Sequence, residues 1–273
     1  MRISSNDSVV FLMGPTASGK TELALEIFDR FDVCLISVDS ALIYRGMDIG
    51  TAKPSPETLA NYPHALIDIC EPEETFSVNH FVSLAKEHID LALKENRLPV
   101  LVGGTSFYFH ALEHGLSELP ESTKDSRKHF NNLLKNKGSE KLHSQLVKID
   151  PKSAERIHPN DSQRITRALE VFHLSGQTLS ELQGNQAINK LNHQIKKIIL
   201  MPDRSELHLR IEKRFMKMME SGFLDEVEIL RNNKNLNLDL ASMRCVGYRQ
   251  AWKYFDGVYD KQEMIDKAVI ASR

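Results

Sequence analysis

The stretch Gly14-Pro15-Thr16-Ala17-Ser18-Gly19-Lys20-Thr21 constrains this chain more than any other. An apolar run, Val9-Val10-Phe11-Leu12-Met13, precedes it, and a helix-like run, Glu22-Leu23-Ala24-Leu25-Glu26-Ile27-Phe28, follows. Strand, glycine-rich turn, Lys-Thr and helix is the setting in which G-x-x-x-x-G-K-[ST] forms a phosphate-binding loop. Glycines let backbone N–H groups wrap an anion, and the helix start adds its dipole. Lys20 supplies a point charge, and the Thr21 hydroxyl can hold Mg2+. A ligand carrying a di- or triphosphate is expected, and the loop alone does not say which.

Further apolar runs extend the pattern. Residues 33–39 read as a second strand ending in Asp39-Ser40. In open parallel sheets ligands gather beyond the carboxyl ends of the strands, so Asp39 is expected in the same crevice as Lys20. There it can hold Mg2+ through water, accept a proton, or simply cap the next helix. Residues 40–54 lack a helical period and read as a functional loop after a short helical turn. Ala65–Ile69 reads as a third short strand, and Ser77–Lys94 as an amphipathic helix with His80 and His88 on its surface or in packing. Pro99–Thr105 is the next strand. Thr105 at its end can bond a phosphate oxygen or a base, or cap the helix over Phe107–Leu112. This alternation is that of a parallel α/β sheet flanked by helices.

The pattern changes after Leu119-Pro120. From 121 to about 190 the chain is polar, basic and helical in character, with no buried strand, and reads as an inserted helical domain. Within it Gln163, Arg164 and Arg167 lie near one another on adjacent helical turns. Such a face suits a phosphate backbone and unpaired bases, or it forms salt bridges with Glu170. Strand character returns at 194–201, and a long helix pair around Gly222 follows. Arg210 and Arg214, four residues apart on one helix face, can reach over phosphates as a lid or remain solvated. Arg244, Gly247, Tyr248, Arg249, Gln250 and Trp252 interleave aromatics with arginines. That suits RNA, or a helix that packs Val246 and Trp252 into a core.

Charge adds a hint about partners. Residues 1–121 carry 8 Lys and Arg against 18 Asp and Glu, while residues 122–273 carry 27 against 19, so the two stretches have net charges of −10 and +8. A polyanion meeting the second half is one reading, and solubility is the other. No 18-residue apolar run and no leader pattern in residues 1–7 are present, and the three cysteines (Cys34, Cys70, Cys245) read as buried reduced thiols. A cytoplasmic protein is expected.

Taken together, these motifs resemble bacterial tRNA dimethylallyltransferases. The resemblance rests on Gly14–Thr21, Asp39-Ser40 with Tyr44 and Gly46–Pro54, and Val102-Gly103-Gly104-Thr105. It continues through Asn160-Asp161 with Gln163-Arg164 and Arg167–Glu170, and Ser242-Met243-Arg244 with Val246–Gln250. It spans essentially the whole chain and implies a P-loop α/β core over 1–120 and 192–273, with a tRNA-binding insertion over 121–191. It implies transfer of a five-carbon group from dimethylallyl diphosphate to the exocyclic amine of the adenosine 3′ to the anticodon, with diphosphate leaving. Gly14, Pro15, Thr16, Ala17, Ser18, Gly19, Lys20 and Thr21 would hold the diphosphate with Mg2+. Arg214, and next to it Arg210, would serve as the lid. Asp39 would be the general base and Thr105 a neighbour of the diphosphate, with Thr16 and Ser18 lining a channel entered by RNA and donor from opposite ends. The tRNA-contacting positions would be Asp39, Ser40, Ala41, Leu42, Thr105, Arg127, Gln163, Arg164, Ile165, Thr166, Arg167, Arg244, Cys245, Val246, Gly247, Tyr248 and Arg249.

Leu42 stands where many relatives carry Gln, and the family's last helix usually runs on with basic and aromatic residues, so a shortened C-terminus is expected. A monomer is expected, acting on the tRNA anticodon stem-loop. Two alternatives share the motifs. One is a nucleotide or small-molecule kinase that turns over bound ATP. The other is an RNA-binding module without catalysis.

Overall fold

The computed structural model describes residues 8–184 and 188–273. Residues 1–7, read above for a leader, and 185–187, inside the expected insertion, lie outside the described residues. The chain divides into two compact units, Met1–Glu113 with Leu191–Arg273, and His114–Lys190.

The first unit is built on five parallel strands, β1 (Ser8–Met13), β2 (Val33–Val38), β3 (His64–Ala65), β4 (Leu98–Gly103) and β5 (Gln194–Ile199), in the order β3-β2-β4-β1-β5. The central strands are continuous apolar runs, as a sheet covered on both faces requires. Met13 pairs with Gly103 and Val38 pairs with Gly103 from the other side, so β1, β2 and β4 end at one level. Gly103 is obligatory there. A Cβ on it would lie 2.0 Å from the Val38 carbonyl oxygen. The loops that follow these three strands therefore rise together.

Helices α1 (Lys20–Arg30), α3 (Val78–Lys94) and α4 (Ser106–His114) connect the strands, with the short α2 (Pro56–Asn61) before β3. Ser55 caps α2 by accepting the Thr58 N–H, with Pro56 opening the helix. After β5 come α10 (Arg204–Glu220), α11 (Phe223–Arg231), a 3-10 turn (Ser242–Arg244), α12 (Tyr248–Phe255) and α13 (Lys261–Ser272). Gly222, at φ 93°, turns the chain between α10 and α11. These helices share a core of Phe215, Phe223, Met243, Tyr248 and Met264 with Ile43, Tyr44 and Met47 of the loop after β2.

The expected strand over Ala65–Ile69 is shorter in the structure. It stops at Ala65 because Leu66 and Asp68 take positive φ values of 66° and 53°. The backbone then doubles back, and Ile69 and Cys70 donate to the Ile43 carbonyl oxygen. The cysteines also differ from expectation. All are free thiols, but only Cys70 is buried, whereas Cys34 and Cys245 are half-buried.

The second unit is helical among its described residues: α5 (Lys124–Lys137), α6 (Ser139–Ile149), α7 (Pro151–Arg156), α8 (Ser162–Ser175) and α9 (Leu179–Gly184). An isolated bridge between Leu116 and Ile188 joins its ends. Phe130, Leu142, Leu146, Ile165, Leu169 and Val171 form its core. It carries 12 Lys and Arg against 9 Asp and Glu, a modest net charge of +3.

Candidate active site

Above the ends of β1, β2 and β4 lies one cavity of about 1010 Å³ within the first unit. Its floor is the phosphate loop. Ala17 and Gly19 take φ values of 60° and 90°, which turn the backbone around so that α1 starts at Lys20. The Lys20 ammonium folds back to donate to the Pro15 carbonyl oxygen at 2.6 Å and to Ser18 Oγ at 3.4 Å. Thr16 to Glu22 line the cavity, while Gly14 and Pro15 face a smaller cavity of about 240 Å³ on the loop's other side.

Asp39 follows β2 directly. Its Oδ1 accepts the N–H of Ala41 at 2.8 Å and of Leu42 at 3.4 Å, so it caps the turn over which the chain enters residues 40–44. Thr105 joins this turn to the end of β4. Its Oγ1 accepts the Ser40 N–H at 3.1 Å, and its own N–H donates to the Val38 carbonyl oxygen at 3.2 Å. The Thr105 hydroxyl is thus directed at Ser40. Asp39, Ser40, Ala41, Leu42 and Thr105 all line the cavity.

Arg214 enters from α10, and its Nη2 donates to the Thr51 carbonyl oxygen at 3.3 Å. Arg210 lines the same cavity but is exposed and pairs with Glu206 at 2.6 Å. Burial lowers the affinity of both Lys20 and Arg214 for their protons. The Asp39 carboxylate opposes that in each, so the three charges share one field. Arg244, Cys245, Val246 and Gly247 close another side. Burial, and secondarily Asp39, pushes the Cys245 thiol up to about 12, and the same two causes push the Tyr108 phenol up to about 12.

The loop between β2 and β3 is held by two clasps. Lys53 donates to the Tyr44 carbonyl oxygen at 2.7 Å, Asp48 Oδ1 at 2.6 Å and Asp68 Oδ1 at 2.5 Å. Glu226 of α11 accepts the N–H groups of Asp48 (2.8 Å), Ile49 (2.7 Å) and Gly50 (3.1 Å). A Cβ on Gly50 would strike the rings of Phe223 and Tyr248 at 2.3 and 2.6 Å, so only glycine lets the loop sit this deep. Thr51 and Ala52, held by these clasps, line the cavity.

Several expected contact residues are placed elsewhere. Tyr248 is 0% exposed in the helical core, and Ile165 is 0% exposed in the core of the second unit. Neither side chain is presented at the surface. Val246 is exposed rather than packed inside, and Arg249 is exposed on α12. In the second unit Arg167 donates to Glu170 (2.7 Å), Ser122 Oγ (2.8 Å) and the Pro120 carbonyl oxygen (2.7 Å), so its guanidinium is built into the fold. Thr166 donates to the Ser162 carbonyl oxygen at 2.8 Å. Arg127, Gln163 and Arg164 are exposed. Cavity-lining residues that no motif signalled include Ser37, His64, Ile67 and Ser272.

A parallel sheet with a phosphate loop after β1 and a charged crevice over the strand ends defines a P-loop NTPase-like protein. The family described as IPP transferase matches residues 42–273, and the chain belongs to that family. It is 63% identical over 273 residues to a tRNA dimethylallyltransferase of Ruthia magnifica subsp. Calyptogena magnifica, covering 100% of this chain and 89% of the relative. It is 51% identical over 268 residues to one from Alkalilimnicola ehrlichii, covering 97% and 84%. Its fold is similar to the full-length tRNA isopentenylpyrophosphate transferase of Bacillus halodurans, with a TM-score of 0.68 and 36% identity over 97% of this chain and 83% of that one. It is also similar to a eukaryotic dimethylallyltransferase solved acting on tRNA, with a TM-score of 0.77, 22% identity and 97% and 67% coverage, a likeness of fold alone. No helix among the described residues is long and apolar enough to cross a membrane.

Proposed function

We propose that this chain transfers a dimethylallyl group from dimethylallyl diphosphate to the exocyclic amine of the adenosine 3′-adjacent to the anticodon in tRNA, releasing diphosphate. One observation carries the reading. A single cavity gathers Lys20, Asp39, Thr105 and Arg214 with the Arg244–Gly247 segment, in a member of the IPP transferase family. The curated relatives are named as dimethylallyltransferases, which does not favour the kinase alternative.

In this reading the phosphate-loop amides, Lys20 and Arg214 hold the diphosphate, with Arg210 at its rim. Their positive charge stabilises the leaving group as the C1–O bond breaks. The adenine amine attacks C1, the N–C1 bond forms, and the amine proton passes to Asp39. Asp39 is already fixed by the N–H groups of Ala41 and Leu42, so its orientation costs little at that moment. Thr105 keeps the Asp39 turn and the β4 end in register through Ser40.

Thr21, exposed in the first turn of α1 and lining the cavity, would hold a Mg2+ ion through its hydroxyl. Among the described residues no cluster of three His, Cys, Asp or Glu could hold a metal alone. When bound, the ion would neutralise charge on the leaving diphosphate.

The target base must leave its stack to reach Asp39. Ser40, Ala41, Leu42, Arg244, Cys245, Val246 and Gly247 would line its pocket, with Arg249 on the anticodon stem-loop. Arg127, Gln163 and Arg164 of the helical unit, a tRNA-binding insertion in this reading, would contact phosphates. Such an enzyme would act as a cytoplasmic monomer. The test is incubation with labelled dimethylallyl diphosphate and unmodified tRNA. Label should appear in the tRNA at that adenosine, and tRNA left unlabelled would end the proposal.

A further inference from the structure

The side chains of β2 alternate across the sheet, which puts Val33, Leu35 and Ser37 in one row. Val33 and Leu35 pack against Leu12, Ala24 and Val100 beneath α1. Ser37 continues that apolar row at the strand end where the phosphate loop opens. It is 3% exposed, yet it lines the cavity. Among the described residues its Oγ has no hydrogen-bond partner. A buried hydroxyl without a partner destabilises a folded chain, and alanine would fill the same row without that cost.

The groups beside Ser37 explain why a hydroxyl suits this place. Lys20 and Arg214 already bring two cations into a partly buried space with Asp39. A third cation would repel both and lose its own hydration. A hydroxyl offers a donor to an anion with no added charge. The Lys20 ammonium donates to the Pro15 carbonyl oxygen and to Ser18 Oγ, so it already has acceptors within the loop. Among the described residues, Ser37 Oγ is the buried side-chain donor of this cavity without a hydrogen-bond partner.

We propose that Ser37 is a further diphosphate-binding residue, whose hydroxyl donates to an oxygen of the diphosphate seated on the phosphate loop. The inference rests on the reading of that loop given above. The stability lost to the unpaired hydroxyl in the free protein is regained when the anion arrives.

The experiment compares the parent protein with Ser37→Ala and Ser37→Cys. Titration with inorganic pyrophosphate in the presence of Mg2+ is followed by calorimetry and by melting temperature. Ser37→Ala should melt at or above the parent when free, bind pyrophosphate about tenfold more weakly, and show a smaller pyrophosphate-induced rise in melting temperature. Ser37→Cys, which keeps the volume and a weak donor, should fall between and serves as the probe if alanine disturbs the fold. A parent that binds pyrophosphate with Ser37→Ala equal to it within about twofold would overturn the role of Ser37 alone. A parent that does not bind pyrophosphate would overturn the phosphate-loop reading and this inference with it.

Discussion

The hydroxyl of Tyr248 donates to Oε1 of Glu226 at 2.5 Å, and the same carboxylate accepts three consecutive backbone N–H groups, those of Asp48, Ile49 and Gly50. One side chain of α11 therefore anchors a loop nearly 180 residues earlier in the chain. That loop carries the Thr51 carbonyl oxygen, to which Arg214 donates. Tyr248→Phe removes one donor and leaves Glu226 three others, so a loss of about 1–2 kcal/mol is expected. Glu226→Ala leaves three backbone donors without their acceptor and should cost at least about 3 kcal/mol. Urea unfolding of the two variants checks the order, and the reverse order would refute the anchoring.

Asp39→Asn should lower turnover at least about a hundredfold while tRNA affinity stays close to the parent's, because the amide oxygen can still cap Ala41 and Leu42 but cannot take a proton. Asp39→Ala removes the cap as well and should also weaken tRNA binding. Single-turnover kinetics beside a filter-binding assay separates the two effects. An Asn variant with the parent's rate would remove the base from Asp39.

Arg214 and Arg210 lie one helical turn apart but differ in setting. Arg214 is half-buried and donates to the Thr51 carbonyl oxygen, whereas Arg210 is exposed and paired with Glu206. Arg214→Ala should cost about a hundredfold in kcat/KM for the diphosphate donor, and Arg210→Ala no more than about fivefold. Equal losses in steady-state kinetics would contradict this division.

Glu170 gives the helical unit a pH signature. Burial pushes its carboxyl up, but the hydroxyls of Ser122 and Ser126 and the Arg167 guanidinium outweigh that and hold it below the ordinary 4.5. A carboxyl depressed in the folded state stabilises above its unfolded value and loses that contribution as pH falls through the folded one. Glu170→Gln should therefore lower the melting temperature near pH 7, and the difference should shrink as the pH drops below about 4. A difference constant with pH would show that packing, not charge, is what Glu170 supplies.

Much of the fold could be read from residue pattern, and the reasons it could not elsewhere are physical. The strands at 8–13, 33–38 and 98–103 are marked by apolar runs, the exposed edge strand at 194–199 by its isoleucines between lysines, and the phosphate loop by its glycines and Lys20. The third strand is shorter than its apolar run suggests because Leu66 and Asp68 take positive φ, a choice made by docking against residues 42 and 43 rather than by propensity. The short α2 did carry a signal in Ser55-Pro56. Motif matching named Ile165 and Tyr248 together with their exposed neighbours, since a motif does not say which side of a helix faces the core. For Arg167 the spacing offers a salt bridge with Glu170 beside a ligand contact, and the structure forms that bridge and adds bonds to Ser122 and the Pro120 carbonyl oxygen. Ser37 carries no signal, because a serine is conspicuous only once its neighbours are known to be dry.

The pairing of β1 with β5 has a consequence for the birth of the protein. Ser8 and Gln194 are neighbours in the sheet but 186 residues apart in the chain. At a synthesis rate of about 5–20 residues per second, one edge of β1 waits roughly 10–40 s for its partner to be made. Until then an apolar strand edge is open to wrong partners, a recognised route to aggregation. The contiguous helical unit, whose contacts are local, can fold during that wait. The phosphate loop, set between a strand still lacking its neighbour and helices not yet synthesised, is among the last features of the nascent chain to acquire its final surroundings.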